Sequence, residues 1–185
     1  VVTPIATPTL ARAEIEVLPP GPVEYSRMVA TSGDELWAIS GGVVWHFRDG
    51  GWTSVEMDAG RVVGPHDRMT LAPDGTVWAA GDGGVAYWSS GRWVIVDAHA
   101  ASAVEVDREG TVWVAGTESS CDIWSLRPSG SGWTRTSAEC PFSFGGGVVH
   151  AMAVDGRGAL WVGAAGFVVN ALARYADGRW EATEA

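Results

Sequence analysis

Lysine is absent from the 185-residue sequence; all 12 basic residues are arginine, set against 22 carboxylates. The formal net charge of −10, with no basic cluster, disfavours nucleic acid and anionic membranes as partners. No apolar run approaches the roughly 18 to 20 residues of a membrane-spanning helix, so no membrane insertion is expected. No stretch repeats with the period of an amphipathic helix. A Gly-x-Ser-x-Gly elbow is missing, and Gly145-Gly146-Gly147 has no following Lys to make a phosphate loop, so no nucleophile constellation emerges. The only cysteines, Cys121 and Cys140, lack Cys-x-x-Cys spacing and nearby paired histidines, so neither a metal nor any other cofactor is called for.

What is plentiful is tryptophan, 11 residues, with 25 glycines and 9 prolines between short apolar runs. That mixture predicts many short strands joined by tight turns. Aligned on Trp37, Trp78, Trp113 and Trp161, the sequence repeats at intervals of 41, 35 and 48 residues. Nine residues before each Trp stand Met28, Met69, Val104 and Met152; seven before stand Ala30, Leu71, Val106 and Val154. This is a period-2 strand with one apolar face. A turn follows at Asp74-Gly75, Glu109-Gly110 or Arg157-Gly158, looser at Gly33-Asp34 in the first copy. The Trp strand then runs to Gly41, Gly81, Gly116 or Gly163. A third strand carries Val44–Phe47, Val85–Trp88, Ile123–Leu126 or Ala171–Tyr175, and a fourth opens on Trp52, Trp93, Trp133 or Trp180.

Four short antiparallel strands per repeat of about 40 residues predict an all-β chain of four β-propeller blades. The expected boundaries are 23–57, 58–97, 98–139 and 140–185, preceded by a linker at 1–22 that includes a possible trailing strand of an earlier blade at 13–18. That surplus strand favours part of a six- to eight-bladed ring, completed by further blades in cis or by a second copy; a closed four-blade ring is the alternative. The first residue is Val1, which fits either removal of a leader or a piece of a longer chain.

Residues Asp74 to Trp93 and Gly158 to Trp180, the latter with Leu160-Trp161-Val162-Gly163 and Arg174-Tyr175-Ala176-Asp177-Gly178-Arg179-Trp180, resemble the repeat of the two-component-regulator propeller family. Its pattern runs Asp-Gly-x-Leu-Trp-x-Gly-Thr and then Gly-Leu-x-Arg-Tyr-Asp-Gly-x-Trp, and tectonin-type propellers are similar. The resemblance spans about residues 26 to 185. It implies blades and a sensor setting; a signalling output would belong to sequence outside these residues.

The regular register of the tryptophans predicts packing between sheets rather than a carbohydrate platform, with Trp45, Trp88 and Trp124 nearest the rim. A hairpin centred on Gly130-Ser131 sets Cys121 opposite Cys140, and a disulfide there, worth about 3 kcal/mol on the loop-entropy model, points to an oxidising compartment. Two buried thiols in a cytosolic protein are the alternative. His66, His99 and His150 are placed in connections from a fourth strand to the next first strand, around the channel mouth. Glu105 takes the first-strand position held by Val29, Thr70 and Ala153, facing the channel or buried between blades with a partner. Phe142 and Phe144, on the glycine-rich loop after Cys140, form a contact surface or tuck over their own blade edge.

These residues predict a non-catalytic module that recognises a protein or small ligand at the channel-mouth face, extracytoplasmic or secreted, within a larger protein. A second reading is a lyase resembling the streptogramin-inactivating propellers, which use a channel-mouth His and a metal-holding carboxylate; His150 or His99 with Glu105 would be the candidates. A third is a structural spacer.

Overall fold

A carboxylate writes the first turn of the later repeats. Asp107 Oδ1 accepts hydrogen bonds from the amides of Glu109 at 3.0 Å and Thr111 at 2.8 Å, and Oδ2 accepts the indole N–H of Trp113 at 3.1 Å. Asp155 does the same with Arg157, Ala159 and Trp161 at 2.8, 3.0 and 3.0 Å. Gly110 and Gly158 follow with φ of 79° and 86°, a region that costs glycine nothing sterically. One side chain thus closes the hairpin and aims the tryptophan that starts the next strand.

The computed structural model describes residues 21, 27–32, 34–40, 42–55, 68–117, 122–130, 132–138, 148–165 and 170–184. These form sixteen strands in four antiparallel meanders. Blade 1 comprises β1 (Arg27–Ser32), β2 (Glu35–Ser40), β3 (Val43–Arg48) and β4 (Gly51–Val55). Blade 2 has β5 (Arg68–Leu71), β6 (Val77–Gly81), β7 (Gly84–Ser89) and β8 (Arg92–Asp97). Blade 3 has β9 (Ala101–Val106), β10 (Val112–Gly116), β11 (Ile123–Ser129) and β12 (Gly132–Ala138). Blade 4 has β13 (Val148–Val154), β14 (Leu160–Ala165), β15 (Asn170–Ala176) and β16 (Arg179–Glu184). Among the described residues no helix is long and apolar enough to cross a membrane.

The first strands pack in succession, β1 on β5, β5 on β9 and β9 on β13, so they form the inner edge of the array. Period-2 alternation gives every sheet two faces, and the repeat assigns each a direction. The tryptophan of the second strand faces the next blade, whereas the apolar residues of the first strand face the previous one. Trp37, Ile39 and Val44 of blade 1 meet Met69, Val77, Ala79 and Trp93 of blade 2. Trp78, Ala80 and Val85 meet Val104, Val106, Val112 and Trp124 of blade 3. Trp113, Ala115 and Ile123 meet Val149, Leu160 and Val162, with Met152 and Val154 alongside.

Trp37, Trp78, Trp93, Trp113 and Trp124, with the partly buried Trp88, Trp133 and Trp180, therefore fill seams between sheets, as their register predicts, whereas Trp45, Trp52 and Trp161 belong to none of the three clusters. An indole removes roughly 200 Å² from water at about 25 cal/mol per Å², so these seams are the largest apolar contribution to the fold. Trp124, expected near the rim, is fully buried, while Trp45 and Trp88 are half-buried.

Candidate functional site

The ends of the strands that carry the connections between blades bring one charged cluster together, at the junction of blades 2 and 3. It begins at Asp97, the last residue of β8. A bulge between Val85 and Ala86 shifts the register so that Asp97 pairs with Val85. Gly84, with φ of 119°, lies so close that a Cβ there would stand 2.1 Å from the Asp97 carbonyl oxygen. Only glycine permits this approach, and it fixes the backbone from which the carboxylate turns inward.

The Asp97 side chain is 5% exposed. Its Oδ1 accepts the His99 backbone amide at 3.0 Å and a hydrogen bond from His99 Nδ1. A carboxylate can only accept, so Nδ1 is the donor in this pair, and in the neutral imidazole Nε2 is then the acceptor left facing outward. The imidazole itself is 67% exposed. Asp97 Oδ2 has no hydrogen-bond partner, but an Arg135 guanidinium nitrogen stands 3.8 Å away, an ion-pair separation.

Arg135, on β12, is held from three sides. Its Nη2 donates to Asp122 Oδ2 at 3.1 Å, its guanidinium carbon lies 4.0 Å over the Trp124 ring, and Asp97 lies behind. The His99 ring stands edge-on to the same indole at 6.3 Å. Gly116 makes room for this plate, since a Cβ there would meet Trp124 at 3.2 Å and Asp122 at 3.3 Å. The result is an exposed acceptor nitrogen beside a stacked, half-buried guanidinium. Both are oriented by buried groups, so little rotamer freedom is left to lose on binding a ligand.

Glu105 sits on the innermost strand of blade 3, paired with Trp113 as Val29 pairs with Trp37 and Thr70 with Trp78. The Thr70 hydroxyl of blade 2 donates to its Oε1 at 3.3 Å. Burial pushes the Glu105 carboxyl above the usual glutamate range, against the pull of the Thr70 hydroxyl and the Val106 amide. Six residues of chain, mostly strand, separate it from His99, a reach of roughly 20 Å at about 3.3 Å per residue, so the two are not brought together.

His150 does not lie in a connection as expected. It belongs to β13, and the register skips it between Val149 and Ala151, making it the extra residue of a β-bulge. It is exposed, and its carbonyl accepts a 3.5 Å contact from Arg68 of blade 2. His66, Cys121, Cys140, Phe142 and Phe144 lie outside the described residues, and with them the disulfide and the phenylalanine surface. Among the described residues, no three His, Cys, Asp or Glu side chains are grouped to hold a metal ion.

Sequence reasoning reached His99 but missed Asp97, Asp122 and Arg135. The available signal was Asp97 two residues before His99, the spacing of an Asx turn. It also passed over His46, whose Nε2 is 2.7 Å from Glu35 Oε1 and whose ring stacks on Trp37 at 3.9 Å. The Thr31 hydroxyl and then His46 hold the Glu35 carboxyl below its ordinary range despite its partial burial.

No protein-family model and no curated protein matches the sequence. Solved structures do. The extracellular domain described as belonging to the one-component system BT4673 of B. thetaiotaomicron superposes with a TM-score of 0.67 at 18% identity over 91% of this chain. The fold is that of a β-propeller. This propeller chain covers 23% of the BT4673 domain, so it spans under a quarter of that structure. A protein from Lactobacillus plantarum matches with a TM-score of 0.58 at 18% identity, over 82% of this chain and 54% of that one. A protein described as a gluconolactonase matches with a TM-score of 0.53 at 15% identity, over 81% of this chain and 70% of that one.

Proposed function

We propose that this propeller segment is a non-catalytic recognition module, the sensing part of a larger extracytoplasmic protein, and that it binds a small polar ligand at the junction of blades 2 and 3. The observation that carries the reading is the His99–Asp97–Arg135–Trp124 cluster. His99 Nε2 offers one acceptor, the guanidinium offers N–H donors not used by Asp122, and the buried Trp124 holds both in register. A ligand with a hydroxyl beside a carbonyl or carboxyl oxygen matches that pair of groups. The likeness to an extracellular domain of a one-component system supports the setting by analogy of fold.

Calorimetric titration with a panel of monosaccharides and hydroxy acids tests this. A binding member should be recovered, and its affinity should fall at least about tenfold in both His99→Ala and Arg135→Met, in line with the loss of one charge-assisted hydrogen bond. Binding unaffected by both substitutions would move the function elsewhere.

The Asp97-backed imidazole also supports an enzymatic reading, since that pairing orients a general base. Turnover of a bound panel member, lost in Asp97→Asn with binding retained, would establish it. The lyase pairing of His99 with Glu105 is not favoured, because the extended strand β9 runs between them and holds them apart in space.

A further inference from the structure

One guanidinium at the junction of blades 2 and 3 answers to two carboxylates. Arg135 Nη2 donates to Asp122 Oδ2 at 3.1 Å, and Nη1 stands 3.8 Å from Asp97 Oδ2. With a neutral imidazole at His99, the cluster therefore carries one positive and two negative charges. The two carboxylates differ in access. Asp97 is buried and gives Oδ1 to His99, whereas Asp122 is 38% exposed and its Oδ1 makes no hydrogen bond to a described residue. Fully buried Trp124 covers one face of the guanidinium at 4.0 Å, so a ligand approaches from the other face or the edge.

What the cluster presents outward is unbalanced. His99 Nε2 and Asp122 Oδ1 both accept, and only the remaining guanidinium N–H groups donate. A hydroxyl or an ammonium group supplies protons to the two acceptors. A carboxylate supplies none. It also cannot take the bidentate fork by which arginine ordinarily holds carboxylates, because one terminal nitrogen is bonded to Asp122 and the other faces Asp97. Its charge would meet two like charges for one opposite charge, at a partly buried site where salt screens little. The formal net charge of −10 acts in the same direction at longer range.

We propose that Asp122 is the specificity-determining residue of this site, an inference that rests on the recognition reading above. It makes the site reject carboxylates and take polyhydroxy compounds that are uncharged or carry a protonated amine. Its free oxygen accepts the ligand's hydroxyl or ammonium proton, and its charge neutralises the guanidinium that a carboxylate would seek. Of the two classes in the panel, sugars are then ligands and hydroxy acids are not.

The test uses gluconate, sorbitol and glucamine, which share one polyol chain and differ at C1 as a carboxylate, a hydroxymethyl and an aminomethyl group. Each is titrated into the protein at about pH 7.5, where an ordinary imidazole is neutral, while the His99 imidazole and Arg135 side-chain resonances are followed. Sorbitol and glucamine should bind at least about tenfold more tightly than gluconate, with glucamine the tightest. Asp122→Asn should bring gluconate to within about threefold of sorbitol. Asp49→Asn, which removes the same charge from a side chain 93% exposed on another blade, should leave the ratio unmoved. Gluconate binding as tightly as sorbitol in the parent protein would overturn the inference without any variant, and would leave the recognition reading standing. An unchanged ratio in Asp122→Asn, or an equal change in Asp49→Asn, would overturn the role of Asp122. Failure of all three compounds to bind would overturn the inference as well, while the recognition reading is decided separately by the wider panel.

Discussion

Asp107 joins backbone to side chain with a single carboxylate: two turn amides and the Trp113 indole converge on it, and it is 5% exposed. Asp107→Ala leaves those donors without an acceptor in a buried turn and should cost about 2–3 kcal/mol in urea unfolding. A loss under about 0.5 kcal/mol would mean that water replaces the carboxylate. The equivalent Asp155 carboxyl is held below 3.8, first by the Trp161 indole and then by the Arg157 and Ala159 amides. Its stabilisation is present above 3.8 and is lost as pH falls through the lower folded value. Glu105 has the opposite sign. Its folded pKa is raised above 4.5 by burial, so its contribution is full below 4.5 and is lost as pH rises through the folded value. Glu105→Gln should therefore be more stable than the parent at pH 7, with the difference closing near pH 4; thermal melts across that range decide it, and a constant difference would deny the burial effect. Of these roles the sequence showed only part. Glu105 stood out because Val29, Thr70 and Ala153 fill its position in the other repeats. The aspartates did not, because Thr31 and Ala72 interrupt their recurrence in the first two blades.

At the level of strands, tryptophan spacing and the apolar first strands made the meanders legible before any coordinates, because period-2 alternation fixes which side chains share a face. What spacing does not report is a bulge. The bulge at His150 draws that residue from an expected connection into β13, and the one between Val85 and Ala86 sets Asp97 where it can hold His99. Both depend on local backbone geometry, which leaves no periodic mark on the sequence. The second bulge depends on Gly84. Gly84→Ala would place a methyl group 2.1 Å from the Asp97 carbonyl, a clash with backbone that cannot rotate away. Gly91 has a φ of 82° and nothing within 4 Å of its Cβ direction. Gly91→Ala should cost about 1 kcal/mol for its left-handed conformation alone. Gly84→Ala should cost more than about 2 kcal/mol and broaden the His99 imidazole resonance. Equal costs for the two would mean that the strand end adjusts freely and that Asp97 is not held by it.

Across the whole array the two-faced blade has a consequence for its ends. Three seams among the described residues have apolar clusters, one for each pair of consecutive blades. The face of blade 1 that corresponds to Met69 and Ala86 in blade 2 carries Met28, 49% exposed, and Val43, 40% exposed. The face of blade 4 that corresponds to Trp37 and Val44 in blade 1 carries half-buried Trp161 and Leu172, 45% exposed. Exposed large apolar residues thus gather on the two faces that the repeat elsewhere buries, and each has the composition of one half of a seam. Contiguous apolar surface of this kind promotes association. The 19.4 kDa chain, prepared by itself, should therefore sediment as larger species whose proportion rises with concentration. Leu172→Glu combined with Met28→Glu should shift it to the monomer with little change in melting temperature, because neither side chain is packed in a seam. A parent chain that stays monomeric over a hundredfold range of concentration would show that the exposed faces do not meet. Association that persists in the double variant would place the contact on another surface. The composition hinted at blades in search of neighbours through a surplus strand at 13–18; the exposed Met28 and Leu172 put the same idea on surfaces that a sedimentation experiment can test.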